Sequence, residues 1–280
     1  MNIGILVEVE EGLDWDSWRR VYTTAERLGF ESVWLSDHLR SPWFGGRSGL
    51  ETWTALSVAA AETQRLVLGP LVSPVTFREP AIVARMAAGL AQLTTGRLVV
   101  GLGMGWNIDE HRASGIPFGN LAHRRQRLIE TVERIRCECD ARVLIGGRGP
   151  SVLPVVAGYA DEWNVTTASA SEFTLASEQL DALCGEIGRG PAEIRRSVAT
   201  GVLVARDQVD LEQRADRMHQ CVPPITGLEA AREMGWIVGT VADVRRKIGE
   251  LQAAGVDRVI FGHYDLADDQ TLEMLAEVLL

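Results

Sequence analysis

Residues 101–112 read G-L-G-M-G-W-N-I-D-E-H-R and hold the densest chemistry in the chain. Gly101, Gly103 and Gly105 follow the apolar run Leu98–Val100; Trp106, Asn107, Asp109, Glu110 and His111 come within six positions. Glycine lets a backbone approach a flat ligand closely, because no Cβ stands in the way. An aromatic ring, an amide, two acids and an imidazole at a strand end suit a ligand site on a loop. The alternative is a tight turn before an acidic helix start. The spacing does not fit a dinucleotide fingerprint, which needs G-x-G-x-x-G opening a helix and an acid about 20 residues on. Here the third glycine comes two residues after the second, and 121–138 is helical in pattern.

Two further groups could do chemistry. Ser36-Asp37-His38 follows the apolar run at 32–35. Histidine exchanges protons readily near neutral pH, so His38 is either an acid–base group or a structural ring bonded to backbone. Gly146-Gly147-Arg148-Gly149-Pro150 precedes a helical pattern. Its backbone N–H groups could cradle a phosphate, although ordinary strand-to-helix turns also favour glycine; Arg148 favours phosphate. Trp34 and Trp163 read as core. Trp43, Phe44 and Trp53 would line a pocket or cap the fold, and the acids of 8–11 read as a solvated surface loop.

These groups need elements to hold them. Short runs rich in Val, Ile and Leu occur at 3–7, 32–35, 66–69, 98–101, 142–145, 162–165, 197–204 and 258–261, as expected of strands buried on both faces. Helical patterns lie between them, at 16–28, 52–62, 80–93, 121–138, 151–159, 171–187 and 242–254. The stretch 208–239 is helical in part and broken by Pro223 and Pro224. Eight strands, each followed by a helix, predict an α/β fold of the (β/α)₈ TIM-barrel type, as one domain over 1–280; a doubly wound open sheet is the runner-up. In a barrel, chemistry sits on the loops after the C-terminal ends of the strands, where the groups above fall.

Composition narrows the function classes. A net charge of −10 argues against a nucleic-acid surface. No apolar run is long enough to span a bilayer, and the first eleven residues lack the basic region of a signal peptide. The expectation is a cytoplasmic protein acting on a small molecule, with no membrane partner and a possible homodimer. Cys137, Cys139, Cys184 and Cys221 show no paired C-x-x-C spacing, so no metal site is expected.

Taken together, the motifs resemble the bacterial luciferase-like monooxygenase superfamily, and within it the branch of oxidoreductases dependent on deazaflavin (coenzyme F-420, 8-hydroxy-5-deazaflavin). They are Ser36-Asp37-His38, V-T-F-R-E-P at 75–80, G-x-G-x-G-W-N-x-x-E-H-R at 101–112, G-I-P-F at 115–118, I-G-G-x-G-P at 145–150, A-D-E-W-N at 160–164 and G-V-D-R-V-I at 255–260. The resemblance implies a flavin-like ring held in the barrel mouth. Asp37 and His38 match the family pair near the reactive ring. Leu71, Val72 and Ser73 match a bulge that supports the ring from behind, often with a non-proline cis peptide. Gly146 and Gly147 match the phosphate turn, with Arg148 beside them; Gly103 and Asn107 are further cofactor candidates, and Trp43 and Trp106 substrate-pocket candidates. Some characterised deazaflavin enzymes have a glutamate proton donor where this chain has Trp106, so the acid falls to His38, Glu110 or His111 by proximity. The family also commonly carries a long excursion before the fifth strand, for which 138–143 leaves almost no room. The expected activity is hydride transfer between deazaflavin and an organic substrate. The alternatives are an FMN-dependent monooxygenase and a non-catalytic flavin-binding barrel.

Overall fold

In the computed structural model, which describes residues 1–44, 49–166 and 169–278, the apolar runs become a ring of parallel strands. They are β1 (Asn2–Val7), β2 (Ser32–Leu35), β3 (Val67–Pro70), β5 (Val99–Gly103), β6 (Arg142–Gly146), β7 (Glu162–Thr166), β8 (Arg195–Ala205) and β10 (Arg258–Gly262). Each pairs with the next, β10 pairs with β1, and a parallel bridge from Leu68 to Leu98 joins β3 to β5 and closes the ring. A two-residue strand, β4 (Ser73–Pro74), lies against the end of β5.

Helices clothe the outside: α1 (Trp15–Leu28), α2 (Thr52–Glu62), α3 (Pro80–Thr94), α4 (Ile108–Ala113), α5 (Leu121–Glu138), α6 (Leu153–Tyr159) and α7 (Ala170–Glu186). The series ends with α8 (Gln208–Cys221), α9 (Leu228–Glu233), α10 (Val241–Ala253) and α11 (Asp269–Val278). Their starts are set by short polar side chains. Asp14, Asn107 and Asn120 accept the N–H of the third residue on, and Ser169 forms a capping box with Glu172. None of the helices among the described residues is long and apolar enough to cross a membrane.

The structure departs from the sequence expectation mainly at 208–239. That stretch makes two helices and a strand, β9 (Ile237–Thr240), which pairs with the upper half of β8. Leu203, Leu211, Met218, Ile225 and Trp236 form a separate apolar cluster there. The helix expected from Ser151 starts at Leu153.

Strand side chains alternate between the two faces, and the inward set stacks in layers up the barrel. At the bottom, buried Arg258 donates to Glu162 (2.9 and 2.8 Å) and to Glu31 (2.7 Å). Trp34 fills the centre; a Cβ on Gly4 or Gly69 would come within about 3 Å of its ring. Leu6, Val99, Leu144, Ala199 and Ile260 form an apolar layer with it. The outward faces pack on the helices through the main core, which includes Trp163. Above the inner layer the barrel opens.

Candidate active site

A cavity of about 870 Å³ occupies the C-terminal mouth of the barrel. Ser36 and His38 line it beyond β2, Gly103 and Trp106 beyond β5, and Gly146, Gly147, Gly149 and Ser151 beyond β6. Asn164 and Thr166 come from β7, Thr200 and Gly201 from β8, Gly262 and Tyr264 from the end of β10. Trp236 and Met234 close one side.

The floor is Val72. The peptide between Leu71 and Val72 is cis, and both residues line the cavity. The glycines around it make its seat. A Cβ on Gly103 would lie 2.6 Å from Val72 Cγ2, and one on Gly146 or Gly101 would lie 3.2 Å from Val72 Cγ1. On Gly101 it would also meet the Pro70 carbonyl oxygen at 2.1 Å. The glycine spacing thus accommodates a protein side chain, which in turn forms the surface offered to a ligand.

His38 is the one imidazole among the described residues that line the cavity. Its Nδ1 lies 2.8 Å from Glu110 Oε2, and the other Glu110 oxygen accepts the N–H of Leu39 at 2.5 Å and of Arg40 at 3.3 Å. Burial disfavours the charged ring, but Glu110, Glu10 and Glu8 outweigh it and raise its pKa to about 9. His38 is therefore imidazolium at neutral pH. Burial pushes Glu110 up; the His38 contact and the two backbone donors overcome it and hold the carboxyl below the usual range. The Trp106 ring stands edge-on to His38, centroids 5.8 Å apart, and is 68% exposed at the rim.

Several expected site residues sit just behind this wall. Asp37 is buried; it accepts from Ser73 Oγ (2.5 Å) and receives Arg78 on both oxygens (2.6 and 3.0 Å). Ser73 also accepts from Trp53 Nε1 (3.1 Å). This network ties the loop after β2 to the turn after β3 and fixes the backbone that carries His38 and Val72. Asn107 caps α4 by accepting the Glu110 N–H at 3.1 Å. His111 is buried between Phe77 and Phe118; its Nδ1 meets the Asn107 carbonyl and its Nε2 the Thr76 hydroxyl, both at 2.7 Å. Trp43 is 43% exposed and stands outside the cavity wall.

One donor of the glycine turn is already engaged. The Gly147 N–H donates to the Asn164 carbonyl at 2.9 Å, and the Gly147 carbonyl accepts from Trp163 Nε1 at 2.7 Å. Arg148 points to Glu172, 3.8 Å away, not into the cavity. Of the other arginines near the rim, Arg78 serves Asp37 and Glu51, and Arg112 pairs with Asp109; Arg47 lies outside the described residues. No lysine or arginine among the described residues lines the cavity.

The main correction concerns 8–11. These acids are not a solvated loop. Glu8 lines the cavity, and Glu10 is buried behind it, accepting from Ser36 Oγ at 2.6 Å. Burial and the charge of Glu10 raise the Glu8 carboxyl to about 8. The sequence held a signal for this: Gly4 and Leu6 face inward, and Glu8 continues that alternation. Tyr264, also missed, stacks on Trp236 with centroids 5.1 Å apart.

A model of the luciferase-like monooxygenase family matches residues 1–258. An F-420-dependent hydroxymycolic acid dehydrogenase of Mycobacterium tuberculosis is 39% identical over 114 residues, which are 40% of this chain and 31% of that protein. An F-420-dependent glucose-6-phosphate dehydrogenase of Intrasporangium calvum is 38% identical over 118 residues, 40% of this chain and 34% of that one. The chain thus matches about a third of the length of these relatives. A solved F-420-dependent secondary alcohol dehydrogenase, in complex with an F-420–acetone adduct, shares the fold: TM-score 0.81 at 20% identity, over 99% of this chain and 97% of that one.

Proposed function

The chain belongs to the luciferase-like monooxygenase family, and from that membership we propose that it is an oxidoreductase that binds a deazaflavin of the F-420 type and moves a hydride between it and an uncharged organic carbonyl or alcohol. One observation carries the reading: the cavity is large, mostly apolar and free of lysine and arginine among its described lining residues, with charged His38 beside the Val72 floor. Its volume of about 870 Å³ lies toward the upper end of the roughly 300–1,000 Å³ common for small-molecule sites, enough for a tricyclic ring and a substrate together. The names of the relatives supply the cofactor class.

The residues present fit such a group. Val72 would support the ring, and the turn of Gly146, Gly147 and Gly149 would take the ribityl phosphate end. When bound, the deazaflavin supplies or accepts the hydride; the protein orients both partners and excludes water. His38, kept cationic by Glu110, would stabilise negative charge developing on the ring or on a substrate oxygen. With the glycine turn given to the cofactor's phosphate, no lysine or arginine among the described lining residues would pair a second one, so a sugar phosphate is disfavoured as substrate despite the I. calvum relative. The same reading includes a cytoplasmic location, no nucleic-acid partner and a single domain.

Fluorescence titration of the purified protein with F-420 and with FMN tests the cofactor. Tighter F-420 binding, with reduction of cyclohexanone and none of glucose 6-phosphate oxidation, is expected. Tighter FMN binding with oxygen-dependent turnover would transfer the reading to a monooxygenase. Binding without turnover of any acceptor would leave a non-catalytic barrel.

A further inference from the structure

Family resemblance points to His38 and to the position of Trp106 for acid–base work, yet an indole has no proton to give at neutral pH. The lining wall offers another group. Glu8 is the one carboxyl among the described residues that line the cavity. It stands where β1 ends, between β2, which delivers His38, and β10, which delivers Tyr264. We propose that Glu8 is the catalytic acid and base that gives a proton to the substrate oxygen in reduction and takes it back in oxidation. This rests on the deazaflavin reading above.

The surroundings suit the role. The Ser36 hydroxyl accepts from the Val9 N–H (2.8 Å) and donates to Glu10 (2.6 Å), which places a second, buried carboxyl directly behind Glu8. Two acids packed together cannot both ionise cheaply, and the outer one, facing the cavity, retains the proton. The groups facing Glu8 are Glu10 on the following turn, Ser36 and His38 from the loop after β2 with Glu110 behind the ring, and Tyr264 beyond β10. Burial and the acids Glu8, Glu10 and Glu11 hold the Tyr264 hydroxyl protonated throughout the neutral range. His38 is a weaker acid, because Glu110 at 2.8 Å from Nδ1 favours the charged ring. Losing its proton would leave Glu110 as an unpaired charge.

In the reductive direction a bound, reduced deazaflavin would supply a hydride to the substrate carbonyl carbon. The C=O π bond opens, and its electron pair takes the Glu8 carboxyl proton. An alcohol and a Glu8 carboxylate result; the ring N–H proton that the oxidised deazaflavin would give up passes to solvent, and Glu8 recovers a proton from solvent at the open rim. The alcohol direction runs the same steps in reverse.

Two measurements on Glu8→Gln and Glu8→Asp test this. In protein labelled with ¹³C at the glutamate side-chain carboxyl and free of cofactor, one resonance should titrate near pH 8 and vanish in E8Q. Absence of such a resonance overturns the proposal whatever the activity. In single turnovers with reduced F-420 and cyclohexanone, E8Q should slow hydride transfer by about 10²–10⁴-fold, the usual size of an acid–base contribution. F-420 affinity should be unchanged, and the fall in rate centred near pH 8 should vanish, leaving only the one that follows loss of the His38 charge near 9. Glu8→Asp should restore part of the rate, which a merely structural role would not require. Wild-type turnover matched by E8Q, with the same pH limb, overturns the Glu8 assignment alone. A wild-type protein that binds no F-420 overturns the deazaflavin reading and this role with it.

Discussion

Replacing Glu110 with glutamine should collapse the charge of His38, and the size of the effect follows from the contacts. The ring titrates at about 9 against an ordinary 6.5. That difference of about 2.5 corresponds to roughly 3 kcal/mol of preference for the imidazolium, at about 1.4 kcal/mol per pKa unit. Burial works against the charged ring, so the attraction of Glu110, Glu10 and Glu8 must exceed that net figure. The amide of E110Q can still accept from the Leu39 N–H and can still meet His38 Nδ1, so geometry is largely preserved while the nearest negative charge is lost. The remaining acids act without a direct hydrogen bond to the ring. The His38 pKa should therefore fall below 7, and the ring should become neutral at physiological pH. Two-dimensional NMR of ¹³C-labelled histidine reads this directly, because the chain has only five histidines and His38→Ala assigns the signal. Hydride transfer by E110Q should fall by about 10²-fold, a typical loss for one transition-state electrostatic donor, with F-420 affinity changed much less. If the His38 signal in E110Q still titrates near 9, the ion pair is not what charges the ring, and the argument for His38 as a fixed cation fails.

Other consequences can be checked more briefly. Gly103→Ala places a methyl 2.6 Å from Val72 Cγ2 and should push Val72 into the cavity; overpacking of about 1–3 kcal/mol predicts roughly 10-fold weaker F-420 binding in titration. The double variant with Val72→Ala should recover most of that affinity. Arg258→Met strands buried Glu162 and should destabilise the fold by about 3–5 kcal/mol, read by urea denaturation, without changing the pH dependence of the mouth. Glu8 and His38 both have raised folded-state pKa values, so each binds a proton in the folded state that it releases on unfolding. Their contributions are lost as pH rises, Glu8 between 4.5 and about 8 and His38 between 6.5 and about 9. His263, lowered to about 4 by burial, acts in the opposite sense between 4 and 6.5 and offsets Glu8 there. Stability measured by urea should thus decline mainly above pH 6.5, at up to about 1.4 kcal/mol per pH unit per group, and the slope between 6.5 and 8 should roughly halve in E8Q. An unchanged slope would remove Glu8 from the linkage.

The ring of strands was legible because parallel strands buried on both faces leave uninterrupted Val, Ile and Leu runs, and all eight runs became ring strands within a few residues of the expected ends. The interval 208–239 was not legible as a strand. Ile237 and Val238 are the only consecutive aliphatics of β9, and the strand exists because β8 extends past the ring and offers a free edge. The position of the site was legible from the loops, whereas the identity of its wall depended on parity that motif reading ignores. Ser36 and His38 face the cavity while Asp37, between them, faces Arg78. Asn164 and Thr166 line it while Trp163 packs outward on Phe173. Adjacent motif letters therefore have opposite destinations.

The same parity explains why the acids at 8–11 misled. Three acids in four positions after a strand suggest solvent, because a buried carboxylate is costly without a partner. Here the cost is met locally. Glu10 receives the Ser36 hydroxyl, Glu11 receives the Ser41 hydroxyl (2.7 and 2.9 Å), and Glu8 keeps its proton. A run of acids can enter a barrel mouth when hydroxyls from the next strand and a retained proton replace water. In this chain those hydroxyls come from the loop that also carries His38, so burial of the acids and charging of the histidine are one arrangement: the carboxylates are tolerated because a cation faces them, and the cation persists because they are there.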